Sequence, residues 1–361
     1  MTLALPAKMP PPATMKPPAL PPLTATLSPE DDAALTDLYR RGTPQNTLRA
    51  WERDLLYITA WKQARFAAKP TWPEEDHVAL RFVLDHSADL THQPGAAQTA
   101  ALTLIALGLR RSLACPAPAT LDRRIASWRA FHRMRNLASP FAAPLIAAAR
   151  QKARRANAAP PAPKSPRPVT RDMLEQLLAS CDDSMRGLRD RAILMLAFAS
   201  GGRRRSEITA LYRDDIGTED YITKGLIWLR LLQTKTTTQA DAPRLPLKGR
   251  AARAVMGWIT HAAIDDGPLF RPISTAGRAL NRPLAPDAIR LILRHRLMLA
   301  GLPPDHATPH GLRSGFLTQA ALDGAPLAAA MKLSLHRSAI QAQRYYADVE
   351  IADNPATDLL G

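Results

Sequence analysis

From residue 28 onward, apolar positions recur every three or four residues, the spacing of one helical face. Ser28-Pro29-Glu30-Asp31 opens the first such stretch with a capping serine, a proline suited to the first helical position and acids in the first turn. Thr43-Pro44 repeats the signal ahead of Leu48, Trp51, Leu55 and Ile58. Helical spacing returns over about 73–86, 95–113 and 119–136, and no strand-like alternation precedes residue 150. The pattern predicts an all-helical first domain over residues 28–155. Further on, Thr170 is placed to cap a helix carrying Met173, Leu174, Leu177 and Leu178. An apolar helix over 187–200 stops at Gly201-Gly202. The period then changes over 221–248: Tyr221-Ile222, Leu226 to Leu231 and Arg244 to Leu247 read as two or three short strands, with a polar hairpin tip at 234–242. Helices resume at about 249–263 and 286–300. The fold class is therefore mainly α (α+β), a helical domain followed by a mixed domain with a small antiparallel β-sheet.

The stretches between these elements are compositionally distinct. Residues 1–27 are rich in Pro, Ala and Thr and are expected to be extended or disordered. Residues 150–168 carry Arg150, Lys152, Arg154, Arg155, Lys164 and Arg167 among Ala and Pro. They read as a basic tether, with the linker proper at 156–168 and the second domain at 169–361.

Charge narrows the function. Lys and Arg number 48 against 32 acids, a formal charge of +16 on 361 residues, which points to a polyanionic partner, nucleic acid first. The two cysteines, Cys115 and Cys181, are far apart and form no CxxC pair, which argues against a disulfide framework or a structural zinc site and fits a reducing cytoplasm. No run approaches about 18 consecutive apolar residues, so no membrane span is expected.

The chemistry-bearing residues cluster in the second domain. Thr308-Pro309 reads as another helix start, placing His310 and Arg313 on one face of its first turn, where free backbone N–H groups already favour an anion. Arg203-Arg204-Arg205 follows the double glycine, and a guanidinium in a rigid turn can grip two phosphate oxygens. Lys235 falls at the hairpin tip, from which a lysine could reach a DNA groove. His336-Arg337-Ser338 precedes the adjacent pair Tyr345-Tyr346, of which at most one can face a given phosphate because helical neighbours point about 100° apart.

Taken in order and spacing, Gly202-Arg203-Arg204-Arg205-Ser206-Glu207, Thr234-Lys235-Thr236, His310-Gly311-Leu312-Arg313 and His336-Arg337-Ser338 with Tyr345 nine positions later resemble the tyrosine recombinases, or phage-type integrases, across roughly 169–350. The resemblance implies a core-binding (SAM-like) DNA-binding domain at 28–155 and a catalytic domain at 169–361. It implies Tyr345 as nucleophile, Arg204 and Arg313 as charge stabilisers, Lys235 as proton donor, His310 as proton acceptor and His336 as a phosphate ligand. Arg154, Arg155, Lys164, Arg167, Arg203 and Arg205 are the expected further DNA contacts. DNA would be cut and rejoined through a 3′-phosphotyrosine without metal, cofactor or ATP, by a homo-tetramer spanning two sites on double-stranded DNA. An accessory DNA-bending protein is a compatible partner, and the expected location is cytoplasmic and nucleoid-associated. The same residue types also suit a type IB topoisomerase-like nicking-closing enzyme, and a catalytically inactive DNA-binding regulator is the non-enzymatic alternative. Three positions depart from the family pattern: Arg203 replaces an apolar residue, Leu335 replaces a glycine before His336, and Thr237 stands where Asp is common.

Overall fold

The computed structural model describes residues 28–158, 163–232, 242–336 and 338–352. The Pro-rich 1–27 segment and the hairpin tip bearing Lys235 and Thr237 lie outside the described residues. The chain divides into two compact units, Met1–Pro161 and Ala162–Gly361.

The first unit contains helices α1 (Pro29–Gly42), α2 (Gln45–Phe66), α3 (Asp76–Asp85), α4 (Ala96–Ala106), α5 (Pro118–Met134) and α6 (Pro144–Ala156). The opening cap is as the sequence suggests: Ser28 Oγ accepts from Asp31 N–H at 3.0 Å. The core is aromatic. Trp61 from α2 and Trp128 from α5 are fully enclosed, and Phe82 of α3 meets both edge-on with ring centroids 4.9 and 5.2 Å away. Burial of each such ring stabilises by about 2–3 kcal/mol, and the edge-to-face geometry adds to it. Several polar groups in this core are paired. Lys62 bridges Glu74 at 2.7 Å, and the Glu74 N–H donates to His132 Nε2 at 3.2 Å. His86 sits between the Tyr57 hydroxyl and the Phe82 carbonyl, each 2.7 Å away, and burial pushes its pKa down to about 3. Helix α6 corrects the tether reading of residues 150–156, because Arg150, Lys152, Arg154 and Arg155 all lie on it. Ile146 alone is buried on α6, so periodicity is faint there while the alanines supply the helix propensity.

The second unit contains α7 (Arg171–Ala179), α8 (Met185–Ala199), α9 (Arg205–Thr209), β1 (Ile216–Gly217), α10 (Tyr221–Lys224), β2 (Leu226–Arg230), β3 (Arg244–Lys248), α11 (Gly249–His261), α12 (Pro286–Leu299), α13 (Pro309–Leu322), α14 (Leu327–Ser334) and α15 (Ala339–Ala352). The strands form one antiparallel sheet in the order β1-β2-β3, with Ile216 opposite Leu229 and Leu229 opposite Leu245. Ile227, Leu229, Leu245 and Leu247 turn into the main core beside Trp258 of α11, while Arg230, Arg244 and Lys248 face outward. Pro246 is tolerated because β3 is an edge strand. The sheet differs from expectation at Tyr221-Ile222, which form a helical turn closed by Gly225 at φ +60°. The third strand is instead the two-residue Ile216–Gly217, too short to show alternation in sequence. Helix α8 begins two residues early because Ser184 Oγ accepts from Gly187 N–H at 3.2 Å. Among the described residues, no helix is long and apolar enough to cross a membrane.

Candidate active site

The turn between α8 and α9 fixes the centre of the site. Gly201 and Gly202 take φ of +90° and +73°, a region that disfavours side chains. A Cβ on Gly201 would lie 2.4 Å from the Leu333 carbonyl carbon, and one on Gly202 would lie 2.1 Å from Arg313 Cα. Both glycines are thus required by position as well as by φ: the turn is pressed backbone-to-backbone against α13 and the end of α14. Arg313 Nη1 completes this contact by donating to the Gly202 carbonyl at 3.1 Å.

Arg204 stands at the N-cap of α9 in an extended conformation. Glu207, almost fully buried, accepts from its N–H at 3.1 Å and pairs with its guanidinium, so one carboxylate fixes both ends of the residue. Arg204 still leaves 42% of its side chain exposed toward the cleft. Arg203, expected among the DNA-contacting arginines, is turned the other way and is 2% exposed. It donates to the Leu333 carbonyl at 2.7 Å and lies 3.7 Å from Glu207. The position is interior, which accounts for the apolar residue usual there, and burial pulls the Arg203 pKa down to about 10.

His310, in the first turn of α13, brings Nε2 to 3.2 Å from the Tyr345 hydroxyl on α15. With its proton on Nδ1, this ring can accept the phenolic proton. Tyr346 points away from it. It is 4% exposed, donates to the Ala325 carbonyl at 3.1 Å and packs with Leu317 and Ala330. Arg313 Nε donates to His336 Nε2 at 3.2 Å, and Ser334 Oγ lies 2.8 Å from His336 Nδ1. Leu335 between them adopts φ +53°, the left-handed end of α14, which explains why glycine is the usual residue there. Its side chain packs against the main core.

Burial and surrounding cations shape the electrostatics. The His310 pKa falls to about 4, first through burial and then through Lys164, Arg313 and Arg204. His336 falls to about 4 through burial and then Arg313, Arg204 and Arg203. Both imidazoles are therefore neutral near pH 7. Arg313 is lowered to about 10 by burial and by Arg204. The cleft beside His310 and Arg313 is lined also by Lys164, Arg204, Arg205 and Arg290, with the buried Arg203 at its base. Such a concentration of positive charge with one buried carboxylate beneath it suits a phosphate and repels a cation.

The Phage integrase family profile matches residues 167–350, half of the chain. The chain belongs to the phage integrase family. An integrase/recombinase xerD homolog of Selenomonas ruminantium is 30% identical over 45% of this chain and 48% of its own. The tyrosine recombinase XerD of Xanthomonas axonopodis pv. citri is 31% identical over 52% and 60%. The alignments thus span about half the length of these curated relatives. The tyrosine recombinase XerC of Pelobacter propionicus is 27% identical over 84% of this chain and 85% of its own. Among solved structures, the Tn1549 transposon integrase in complex with circular intermediate DNA aligns with a TM-score of 0.54 at 17% identity, covering 89% of this chain and 98% of that one. A lambda integrase dimer bound to a COC′ core site gives 0.51 at 17% identity, covering 87% and 93%. These two likenesses support the integrase fold.

The structure draws together Arg204, His310, Arg313, His336 and Tyr345. Lys164 joins them at the cleft, and Arg205 lines it while pairing with Asp287 at 3.0 Å. Arg167 is exposed nearby in the chain, and Arg154 and Arg155 sit in the last turn of α6 in the other unit. Three residues had no role in the sequence reading. Glu207 was visible only as part of the Arg-Ser-Glu motif, Ser334 lies two residues before the second histidine, and Arg290 carried no signal beyond its charge.

Proposed function

We propose that this protein is a site-specific DNA recombinase of the tyrosine type, which cuts and rejoins double-stranded DNA through a covalent 3′-phosphotyrosine. The observation that carries the reading is the Tyr345 hydroxyl held 3.2 Å from a neutral His310 at the edge of a cationic cleft. The Tyr345 oxygen attacks the scissile phosphorus as its proton passes to His310 Nε2. The bond from phosphorus to the 5′ oxygen breaks, and Lys235 protonates the departing oxygen. Arg204 and Arg313 neutralise the non-bridging oxygens of the crowded transition state, and His336, with its proton on Nε2 and Nδ1 accepting from Ser334 Oγ, turns from Arg313 to donate to one of those oxygens. One phosphodiester is replaced by another of similar energy, so rejoining by a new 5′ hydroxyl needs neither ATP nor a metal. Lys164, Arg205, Arg154, Arg155 and Arg167 serve as backbone contacts, which makes binding fall steeply with salt.

The first unit acts as the core-binding domain and the second as the catalytic domain. Exchange of four strands calls for a homo-tetramer on two DNA sites, with room for an accessory DNA-bending protein, and the protein works in the cytoplasm on the nucleoid. The names of the XerC and XerD relatives and the DNA complexes of the similar integrases support this reading.

The test is a nicked suicide substrate built from sequence flanking the gene, incubated in EDTA with the wild type, Tyr345→Phe and Tyr346→Phe. A denaturation-resistant protein–DNA adduct is expected from the wild type and Tyr346→Phe, and none from Tyr345→Phe. Adduct from Tyr345→Phe but not Tyr346→Phe would move the nucleophile one residue. Tight binding with no adduct at all would support the binding-only alternative.

A further inference from the structure

The segment that enters the second unit does more than connect. Residues 164–171 run along α13 in the same direction as the helix, making contacts over most of its length. Ser165 Oγ accepts from Thr308 N–H at 2.9 Å, and the Lys164 carbonyl accepts from Thr308 Oγ1 at 2.9 Å. Val169 N–H donates to the Gly311 carbonyl at 2.8 Å. Arg171 N–H donates to Gln319 Oε1 at 2.9 Å, and the Arg171 guanidinium pairs with Asp323. Ser165, Arg167 and Val169 gather around Gly311 in the first turn of α13, and Arg171 then reaches the far end of the helix through Gln319 and Asp323. The segment is therefore a bent strap that holds the helix at both ends.

The helix is notched to receive it. A Cβ on Gly311 would stand 2.7 Å from Ser165 Oγ and 2.9 Å from the Arg167 carbonyl oxygen. A Cβ on Gly315 would stand 1.9 Å from the Val169 carbonyl oxygen. These glycines are four apart and share a face, while His310 and Arg313 project from another. Thr308 would ordinarily cap its own helix. It makes no such cap and spends its hydroxyl on the strap instead. Ser165, 6% exposed, also donates to the Arg167 carbonyl at 2.8 Å, so its hydroxyl is engaged from both sides.

We infer that Ser165 and the Gly311–Gly315 notch are positioning elements for the reaction: the strap sets the register of α13, and through it the placement of His310 against Tyr345 and of Arg313 against the Gly202 turn. The inference rests on the recombinase reading and adds to it residues that touch no substrate. It also gives Lys164 its place, since the bond from Thr308 Oγ1 to the Lys164 carbonyl holds that charge at the cleft beside the start of α13. His310 then faces Lys164 from the strap, Arg204 from α9, Arg313 from its own helix, Tyr345 from α15 and His336 beyond α14.

The experiment compares full-length wild type, Ser165→Ala and Gly311→Ala. Three quantities are measured: the Kd for the nicked DNA, the single-turnover rate of adduct formation, and the titration midpoint of His310 in the free protein by NMR. Both variants are expected to bind within about twofold of wild type. Adduct formation should slow roughly ten- to a hundredfold, the scale of a misplacement of about 1 Å. The His310 midpoint should rise from about 4 toward the ordinary histidine value as the strap lifts. Alanine favours helix over glycine, so a slow Gly311→Ala cannot be ascribed to a weakened α13. Adduct rates and a His310 midpoint equal to wild type in either folded variant would overturn the inference while leaving the recombinase reading intact. If the wild type itself forms no adduct, that reading fails, and the His310 midpoints still decide whether the strap positions the ring.

Discussion

Glu207 and Arg203 form a pair whose two members are predicted to matter very unequally. Replacing Glu207 by Gln keeps the shape and leaves an oxygen able to accept from Arg204 N–H. It removes the carboxylate that pairs with Arg203 among the described residues, where the Arg203 side chain is 1% exposed against 3% for Glu207. Breaking a buried ion pair by neutralising one member costs about 3–5 kcal/mol, because the remaining charge stays desolvated. Arg203 keeps its 2.7 Å bond to the Leu333 carbonyl, and Glu207's other partner Arg204 is well solvated and adds little. The lower end, about 3 kcal/mol, is therefore expected, a fall in Tm of roughly 6–12 °C for a unit of this size. Arg203→Leu perturbs the same pair from the other side. It takes a charge out of the core, removes the Arg203 Nε that has no hydrogen-bond partner, and leaves Glu207 paired with Arg204. Its cost is expected within about 1 kcal/mol, or roughly 2–4 °C. Thermal unfolding of both variants, with the single-turnover adduct rate measured well below Tm, tests the asymmetry. Arg203→Leu should cleave at near wild-type rate, and Glu207→Gln should slow because Arg204 loses its anchor. Equal destabilisation by the two, or a larger loss for Arg203→Leu, would refute the reasoning.

Two further predictions follow from backbone conformation and from a buried imidazole. Leu335→Gly relieves about 1 kcal/mol of left-handed strain but gives up half-buried packing and gains chain entropy in the unfolded state. Its stability is expected within about 1 kcal/mol of wild type, and a loss beyond about 2 kcal/mol in chemical denaturation would show that the strain term is overstated. His86 is held neutral in the folded first unit with a pKa of about 3, below its unfolded value. The unfolded chain therefore takes up a proton that the folded chain refuses, so stability is full above about pH 6.5 and is lost as pH falls from there toward 3. His86→Gln should flatten that acid limb in pH-dependent denaturation, and an unchanged limb would assign it to other groups.

Much of this was legible in the chain, for identifiable reasons. Helices α2, α5, α11 and α12 each carry five or more buried residues, so their pattern is strong and they fall where expected. The recombinase boxes were legible because each is local, a few residues on one turn. What escaped is either too short or too distant. Strand β1 has two residues and α10 four, too few for either period to repeat. Helix α6 escaped because a single buried Ile146 makes no stripe. The inward turn of Arg203 depends on the Leu333 carbonyl 130 positions away, and the one local sign of it is that the family pattern has an apolar residue at that position. The strap looks like a tether in sequence because its partners, Thr308, Gly311 and Gly315, lie far along the chain.

The Gly201-Gly202 turn has a practical consequence for anyone engineering this site. Backbone meets backbone there with no side chain to absorb a change, so a variant at either glycine must move α13 and the end of α14 together. Randomised libraries should hold those two positions constant and place their diversity on residues outside this turn and outside the group around His310. Selection would then sample altered recognition on an unaltered catalytic frame, and clones that lose activity would report on DNA contacts rather than on a collapsed site.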